Sequence, residues 1–352
     1  MLGEPISHLG QGRRNLTLAF VLRQALMPVV GMGIHRGHFE RHVALPSLAE
    51  DTKTWFLLVV LAYLTCAVVW GTTWFAIRVC IGEGGYPTLT GAALRFAIAA
   101  VLLRLLVLVL KSEPGVRTWH QRSWFTIAGL LNGLGYALVY LGEETVAGAF
   151  ASILFGTLPI LTAFLAGITK TERVTLGHFL GALIALGGIV IIFGDRVSVS
   201  SEQGVGITLI CGGVVVSAIY SLVLKRESRG VNALCATSWF LTVTACAIGV
   251  TAWVSGQTQL PWPPPLHPTL ALFYLAIFGS ILTFVSYLYL LQRVSLMATT
   301  TLVFVQPLIA LFVDAMWEEQ AMLTASSYVG VAVTLVGVLV ATFWKRTESR
   351  KA

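Results

Sequence analysis

The chain has 352 residues, of which 56% are hydrophobic and 11% charged, and its mean hydropathy is +0.82. A soluble domain of this size carries roughly a quarter charged residues, so much of this surface must face lipid rather than water. The net charge of +7 does not indicate nucleic acid, because the basic residues sit between apolar runs instead of forming a patch with stacking aromatics.

Residues 1–54 stand apart, with six Lys/Arg and four of the seven His. Their apolar stretch, 16–33, is interrupted by Arg23 and Pro28 and leads to no clear cleavage site, which disfavours a signal peptide or a further span. This segment reads as a cytoplasmic extension, disordered or interfacial. From Trp55 onward, apolar runs alternate with short polar breaks. A hydrocarbon core of ~30 Å needs ~20 helical residues. Runs of that length occupy about 55–80, 88–110, 123–142, 146–169, 175–194, 204–224, 233–254, 269–291, 296–316 and 324–344. Barrel strands would be half as long and would alternate apolar with polar residues. The expectation is an all-α integral membrane protein with ten transmembrane helices, joined in places by turns as tight as Glu143-Glu144-Thr145.

Basic residues give the orientation. Of the 23 Lys/Arg, 19 fall in the tail, in the even-numbered connections and after the last run; Arg196 alone falls in the opposite set, and Arg78, Arg95 and Arg104 lie within the first two runs. By the positive-inside rule both ends are expected in the cytoplasm, and the loop around Trp262 to Pro265 outside.

The two halves repeat. Pro159 and Pro307 each sit late in a Ser/Thr/Ala-rich run, and each is followed by a glutamate at a helix end, Glu172 in one half and Glu318 or Glu319 in the other. Glycine patterns then correspond, Gly181 and Gly188 with Gly330 and Gly337, and Arg78 corresponds to Lys225 at the close of each first run. Five helices per half is an odd number, so the second half enters from the opposite side: two inverted five-helix repeats, expected at 55–196 and 203–345, with 346–352 a cytoplasmic tail.

These residues resemble the drug/metabolite transporter superfamily, specifically its EamA-like family. The resemblance is carried by Trp70-Gly71-Thr72-Thr73-Trp74-Phe75-Ala76-Ile77-Arg78, by Leu94-Arg95-Phe96, by Pro159 followed by Glu172, by Pro307 followed by Glu319, and by the glycine-rich fifth and tenth runs, over about residues 55–345. It implies a ten-helix bundle with a central cavity between the halves, working by alternating access. It also implies frequent export of amino acids or other small polar metabolites.

Polar and aromatic residues near mid-span are the substrate-cavity candidates: Trp70, Thr73 and Trp74 in the first run, Asn132 and Tyr136 in the third, Ser217 and Tyr220 in the sixth, Tyr287 in the eighth and Gln306 in the ninth. Singly, each serves helix–helix hydrogen bonding as readily as substrate contact; Thr73 and Tyr220 at equivalent depth strengthen the set. Arg95 joins it as a guanidinium inside a span, costly there unless satisfied, with a structural role favoured over carboxylate binding. Arg104 is expected to snorkel. Asp314, the one acidic residue inside a run, is read as interfacial. Pro159 and Pro307 are hinge candidates. Glu172 and Glu319 are expected to face solvent or a neighbouring loop, and Gly177 and Gly181 form a small-residue packing face.

The five cysteines, Cys66, Cys80, Cys211, Cys235 and Cys246, show no CxxC spacing and read as buried small hydrophobes, with neither disulfide nor metal site. No HExxH, GxSxG, paired aspartates or Walker motif is present, so an enzyme and an ATP-driven pump are disfavoured and no cofactor is expected. The function expected is secondary transport of small metabolites in the inner (plasma) membrane. The alternative is a nucleotide-sugar-type carrier, which would need several basic groups in its cavity for phosphates. Partners expected are a small-molecule substrate and the lipid bilayer, with a homodimer admitted and nucleic acid excluded.

Overall fold

In the computed structural model, residues 48–112, 115–116, 118–146, 148–193, 203–317 and 325–344 are described. Among them the secondary structure is entirely helical: α1 (Leu48–Ile81), α2 (Thr88–Val109), α3 (Trp119–Gly142), α4 (Gly148–Phe155), α5 (Leu158–Ile168), α6 (Leu176–Phe193), α7 (Gln203–Glu227), α8 (Ala233–Val254), α9 (Leu266–Ala276), a π-helical turn (Ile277–Leu282), α10 (Thr283–Arg293), α11 (Leu296–Thr300), α12 (Leu302–Trp317) and α13 (Ala325–Phe343). Hydrocarbon cannot hydrogen-bond a peptide group, so apolar segments close their backbone bonds internally. Among the described residues, seven helical segments are long and apolar enough to cross a membrane, and three shorter apolar helices, Leu176–Ile192, Leu296–Ala310 and Ser326–Thr342, accompany them.

Large apolar side chains face outward along these helices: Leu61, Leu64 and Val68 on α1, Val101, Leu105 and Leu108 on α2, Val250, Trp253 and Val254 on α8. In water such a belt would be an aggregation surface; in lipid it is the natural exterior. Two cysteines depart from expectation. Cys66 and Cys80 are buried and Cys235 is half-buried, whereas Cys211 and Cys246 are exposed on the bundle's outer surface. Hydropathy places a cysteine in a span but does not say which side of the helix it occupies.

The helices of the two halves exchange partners. α3 packs on α7 as α9 and α10 pack on α1; α3 packs on α8 as α9 packs on α2; and α12 packs on α1 as α4 and α5 pack on α7. Two pairs join like with like, α2 with α8 and α6 with α13. The α6–α13 contact is the most extensive and is built on glycine. Gly181 meets Ala341, Ala185 meets Gly337, Gly188 meets Thr334, and Ile192 meets Gly330, so numbers rising along one helix fall along the other and the pair is antiparallel. Without Cβ atoms the backbones approach closely enough for the Thr334 hydroxyl, 3.4 Å from Ala185 O, to reach across.

Among the described residues, the connection after α5 and the end of α7 meet the end of α10. There Lys225 Nζ donates to Leu291 O at 2.7 Å and to Val294 O at 2.5 Å, and lies 3.5 Å from the Glu172 carboxylate. Glu172 accepts from Leu296 N at 2.7 Å and from Met297 N at 3.4 Å, turning onto a neighbouring loop as expected of it. At the far end, Gln257 accepts from Leu89 N at 2.8 Å, and Trp262 is 89% exposed in the Pro-rich loop.

The glycine seam gives a paired test. A Cβ at Gly181 would overlap the Ala341 backbone, whereas a Cβ at Gly187 on the same helix meets nothing within 4 Å. Gly181→Leu is expected to cost about 1–3 kcal/mol of stability through overpacking, and Gly187→Ala to leave stability unchanged or raised, read as melting temperatures of the purified protein in detergent.

Candidate functional site

A cavity lies where α1, α3, α4, α7, α10 and α12 converge, with about 770 Å³ of space free of protein atoms, its mouth included. From the first half come Trp70, Thr73 and Trp74 on α1, spaced three or four apart and therefore on one helix face, and Gly135, Tyr136 and Val139 on α3 by the same rule. From the second half come Ser217, Tyr220 and Ser221 on α7, Tyr287 on α10, and Gln306 on α12. Among the described residues, none that lines it is charged.

Both broken helices contribute their breaks to the wall. Phe155 ends α4 and Leu158 begins α5; Thr299 and Thr300 end α11, and Leu302 and Val303 begin α12. At the first break Thr157 turns its hydroxyl back to Leu154 O at 2.6 Å. Pro159 therefore does not kink a continuous helix: it occupies the first turn of α5, where a missing N–H costs nothing. Pro307 lies inside α12, and its absent N–H leaves the Val303 carbonyl, on the cavity wall, without its helical donor. Glu318 and Glu319 lie outside the described residues, as does the side chain of Asp314.

Hydrogen bonding orders part of the wall. Tyr287 donates its hydroxyl to Ser221 Oγ at 2.9 Å, and Ser221 donates to Ser217 O at 2.7 Å. The Trp70 indole packs 5.3 Å from the Tyr287 ring and 5.7 Å from Phe284, and Trp74 packs 5.4 Å from Phe155. The indole N–H groups of Trp70 and Trp74 are buried without an acceptor. Unpaired donors in a low-dielectric wall are costly unless a ligand meets them.

Eight of the ten sequence candidates thus share one cavity, and two do not. Arg95 is fully buried behind the wall, and neutral groups take its donors: Nε to Ser280 Oγ at 2.9 Å, Nη2 to Gly279 O at 2.8 Å and Nη1 to the Tyr140 hydroxyl at 3.2 Å. Its guanidinium also lies 5.0 Å from the Tyr136 ring centroid. Ser280 and Gly279 belong to the π turn, whose wider winding displaces carbonyls from their regular partners; Arg95 and the hydroxyls of Ser280 and Thr283 fill that deficit. Asn132 is likewise committed elsewhere, donating to Thr244 Oγ1 at 3.1 Å across α3 and α8.

Several wall and support residues were not singled out from sequence. Ser221 adjoins Tyr220 and carried no further mark. Thr299 and Thr300 belong to a run of three threonines opening the ninth apolar segment, which was a legible signal. Tyr140 and Ser280, the partners of Arg95, carried none.

The arrangement defines a class: a multi-pass helical membrane protein whose two related halves enclose a neutral, aromatic and hydroxyl-lined space. The model of the EamA-like transporter family matches residues 57–194 and again 204–343. The chain belongs to that family, and it is a membrane transporter. It is 30% identical over 249 residues to the "Uncharacterized inner membrane transporter YedA" of Escherichia coli K12, covering 69% of this chain and 77% of that one. It is 23% identical to "Protein PagO" of Salmonella typhimurium, covering 78% and 91%. It is 26% identical to the "Probable terminal-alkyne amino-acid exporter" of Streptantibioticus cattleyicolor, covering 82% and 94%. A solved crystal structure shares the fold with a TM-score of 0.68 at 20% identity, covering 82% of this chain and 97% of that one.

Arg95→Gln should destabilise the protein by about 1–3 kcal/mol for each acceptor left unpaired, read as a lowered melting temperature in detergent. Glu172→Ala strips Lys225 and two backbone N–H groups of a partner and should act in the same direction. Unchanged melting of Arg95→Gln would contradict the structural role given to the guanidinium.

Proposed function

We propose that this transporter is a secondary carrier that exports amino acids or related small polar compounds by alternating access through the cavity described above. The observation that carries the reading is the wall itself. Two related halves supply facing aromatic rings, hydroxyls and an amide, with unpaired indole donors and no fixed charge. A zwitterion of zero net charge fits such a wall: indole N–H and hydroxyl donors meet its carboxylate, rings and hydroxyls meet its ammonium, and the aromatic surface accepts a side chain. A relative named as an amino-acid exporter supports the same substrate class.

The nucleotide-sugar alternative loses ground on the same observation, since Arg95 is turned away and, among the described residues, no other basic side chain lines the wall. In this proposal the three shorter apolar helices complete ten spans, arranged as inverted five-helix repeats at about 55–196 and 203–345. The antiparallel α6–α13 pair supports that inversion. The end holding Lys225 and Glu172 faces the cytoplasm, as do both termini. Pro307, which removes one helical N–H donor, and the break before Pro159 are the places where the wall can flex.

The test is uptake by liposomes carrying the purified protein, screened with radiolabelled L-amino acids. Trp74→Ala and Gln306→Ala are expected to lower transport of the accepted substrate tenfold or more without changing the melting temperature. Asn132→Ala, away from the wall, is expected to keep the substrate affinity of the parent. Normal transport by both wall variants would remove the cavity from the mechanism. A reporter fused to the carboxyl terminus and active outside the cell would overturn the orientation.

A further inference from the structure

Glu143 caps the C-terminus of α3, one residue past the membrane-spanning segment. Its position repeats the cavity face: Gly135 and Val139 line the wall, and Glu143 follows Val139 by one further turn, its N–H bonded to Val139 O at 2.9 Å. Both oxygens of its carboxylate are buried, and neither has a hydrogen-bond partner. A carboxylate deprived of water and of donors is costly as an anion and far less so as the neutral acid. The helix C-terminus adds the negative end of its dipole, which acts the same way.

The surroundings are of mixed character. Arg78, near the end of α1, and Arg95, on α2, favour the ionised form. Tyr136 and Tyr140 on its own helix and Cys80 on α1 also interact with these charges, and the exposed Glu144 follows directly in the chain. From α7, Gly206 and Ile210 close against Gly142 and bring no titratable side chain. Among the described residues, burial outweighs both arginines and pushes the Glu143 carboxyl up to about 8.

We propose that Glu143 is a proton-binding site at the rim of the transport cavity, and that its protonation and release couple the carrier to the transmembrane proton gradient. The proposal rests on the carrier reading given above. The step is one proton binding to one carboxylate. With the carboxylate buried and unpaired, the neutral acid is favoured. Opening the rim to water lowers the cost of the anion and releases the proton on that side. A group poised near neutrality responds to such a change over the physiological range.

Infrared titration of the purified full-length protein tests the site without any substrate. The protonated-carboxyl stretch should disappear with a midpoint near the value of about 8, and Glu143→Gln should lack that component. Arg78→Gln should move the midpoint upward, because a positive neighbour is lost. Between the ordinary 4.5 and about 8 the folded chain holds a proton that the unfolded chain has released. Its melting temperature should therefore fall as pH rises across that window, and Glu143→Gln should flatten the slope. No carboxyl titrating in this range, or the same titration in the Gln variant, overturns the proposal. If Glu143→Gln does not fold, the wild-type band and its shift in Arg78→Gln decide. In liposomes, the ratio of L-amino-acid uptake with a pH gradient to uptake without one should exceed one in the parent and fall to about one in Glu143→Gln; equal ratios overturn the coupling. Should the parent move none of the amino acids, the amino-acid reading fails and the infrared titration still decides the proton site.

Discussion

Hydrocarbon offers no hydrogen-bond partner, and this one deficiency organises the molecule. A regular helix meets it by bonding every interior N–H to a carbonyl four residues back. At two places where the described chain leaves that pattern, a named group takes up what is released. At the π turn, Arg95, Ser280 and Thr283 do so together. At the break before α5, the Thr157 hydroxyl does so. Two further irregular stretches, around Leu158 and from Thr299 to Val303, open onto the cavity, where an environment other than lipid can reach the backbone.

The same accounting explains where charge sits. The cavity wall is neutral, and ionisable groups are displaced to its edges. Arg95 lies behind Tyr136, the Glu172–Lys225 pair lies beyond Ser221 at the basic end, and Glu143 lies one turn beyond Val139 at the other. The basic end is held by bonds from both halves: Lys225 belongs to α7, Glu172 precedes α6, and the carbonyls and amides they engage run from the end of α10 to the start of α11. In the carrier proposed above, a wall without fixed charge would release a zwitterion without first breaking an ion pair, and charge at the rims would respond to which side is open.

Hydropathy was enough to find most helical segments, because a long apolar run is its own signal; α8, expected at 233–254, is observed at Ala233–Val254, whereas the runs at 146–169 and 296–316 are each broken into two helices. Depth along the helix was also legible, and it is what brought Trp70, Thr73, Tyr220 and Tyr287 together. Direction around the helix was not. α2 is apolar on all sides, so nothing in its sequence says that Arg95 turns towards the π turn instead of the cavity, and Asn132 on α3 is settled by a threonine on a distant helix. The π turn itself has no signature beyond Gly279 and Ser280. Glu143 was hidden differently: standing one residue past a span, it resembled an ordinary loop acid until Gly206 and Ile210 of α7 were seen to close against its neighbour.

The α6–α13 seam carries a consequence for how the halves can diverge. Its contacts pair Gly181 with Ala341 and Gly337 with Ala185, so each helix supplies at one level the gap that the other fills at the next. A methyl group gained on one strand of this zipper has to be surrendered by the other. Residues facing the cavity are free to specialise for different cargo, but along this spine the two duplicated units remain bound to a common set of dimensions, whatever the rest of each becomes.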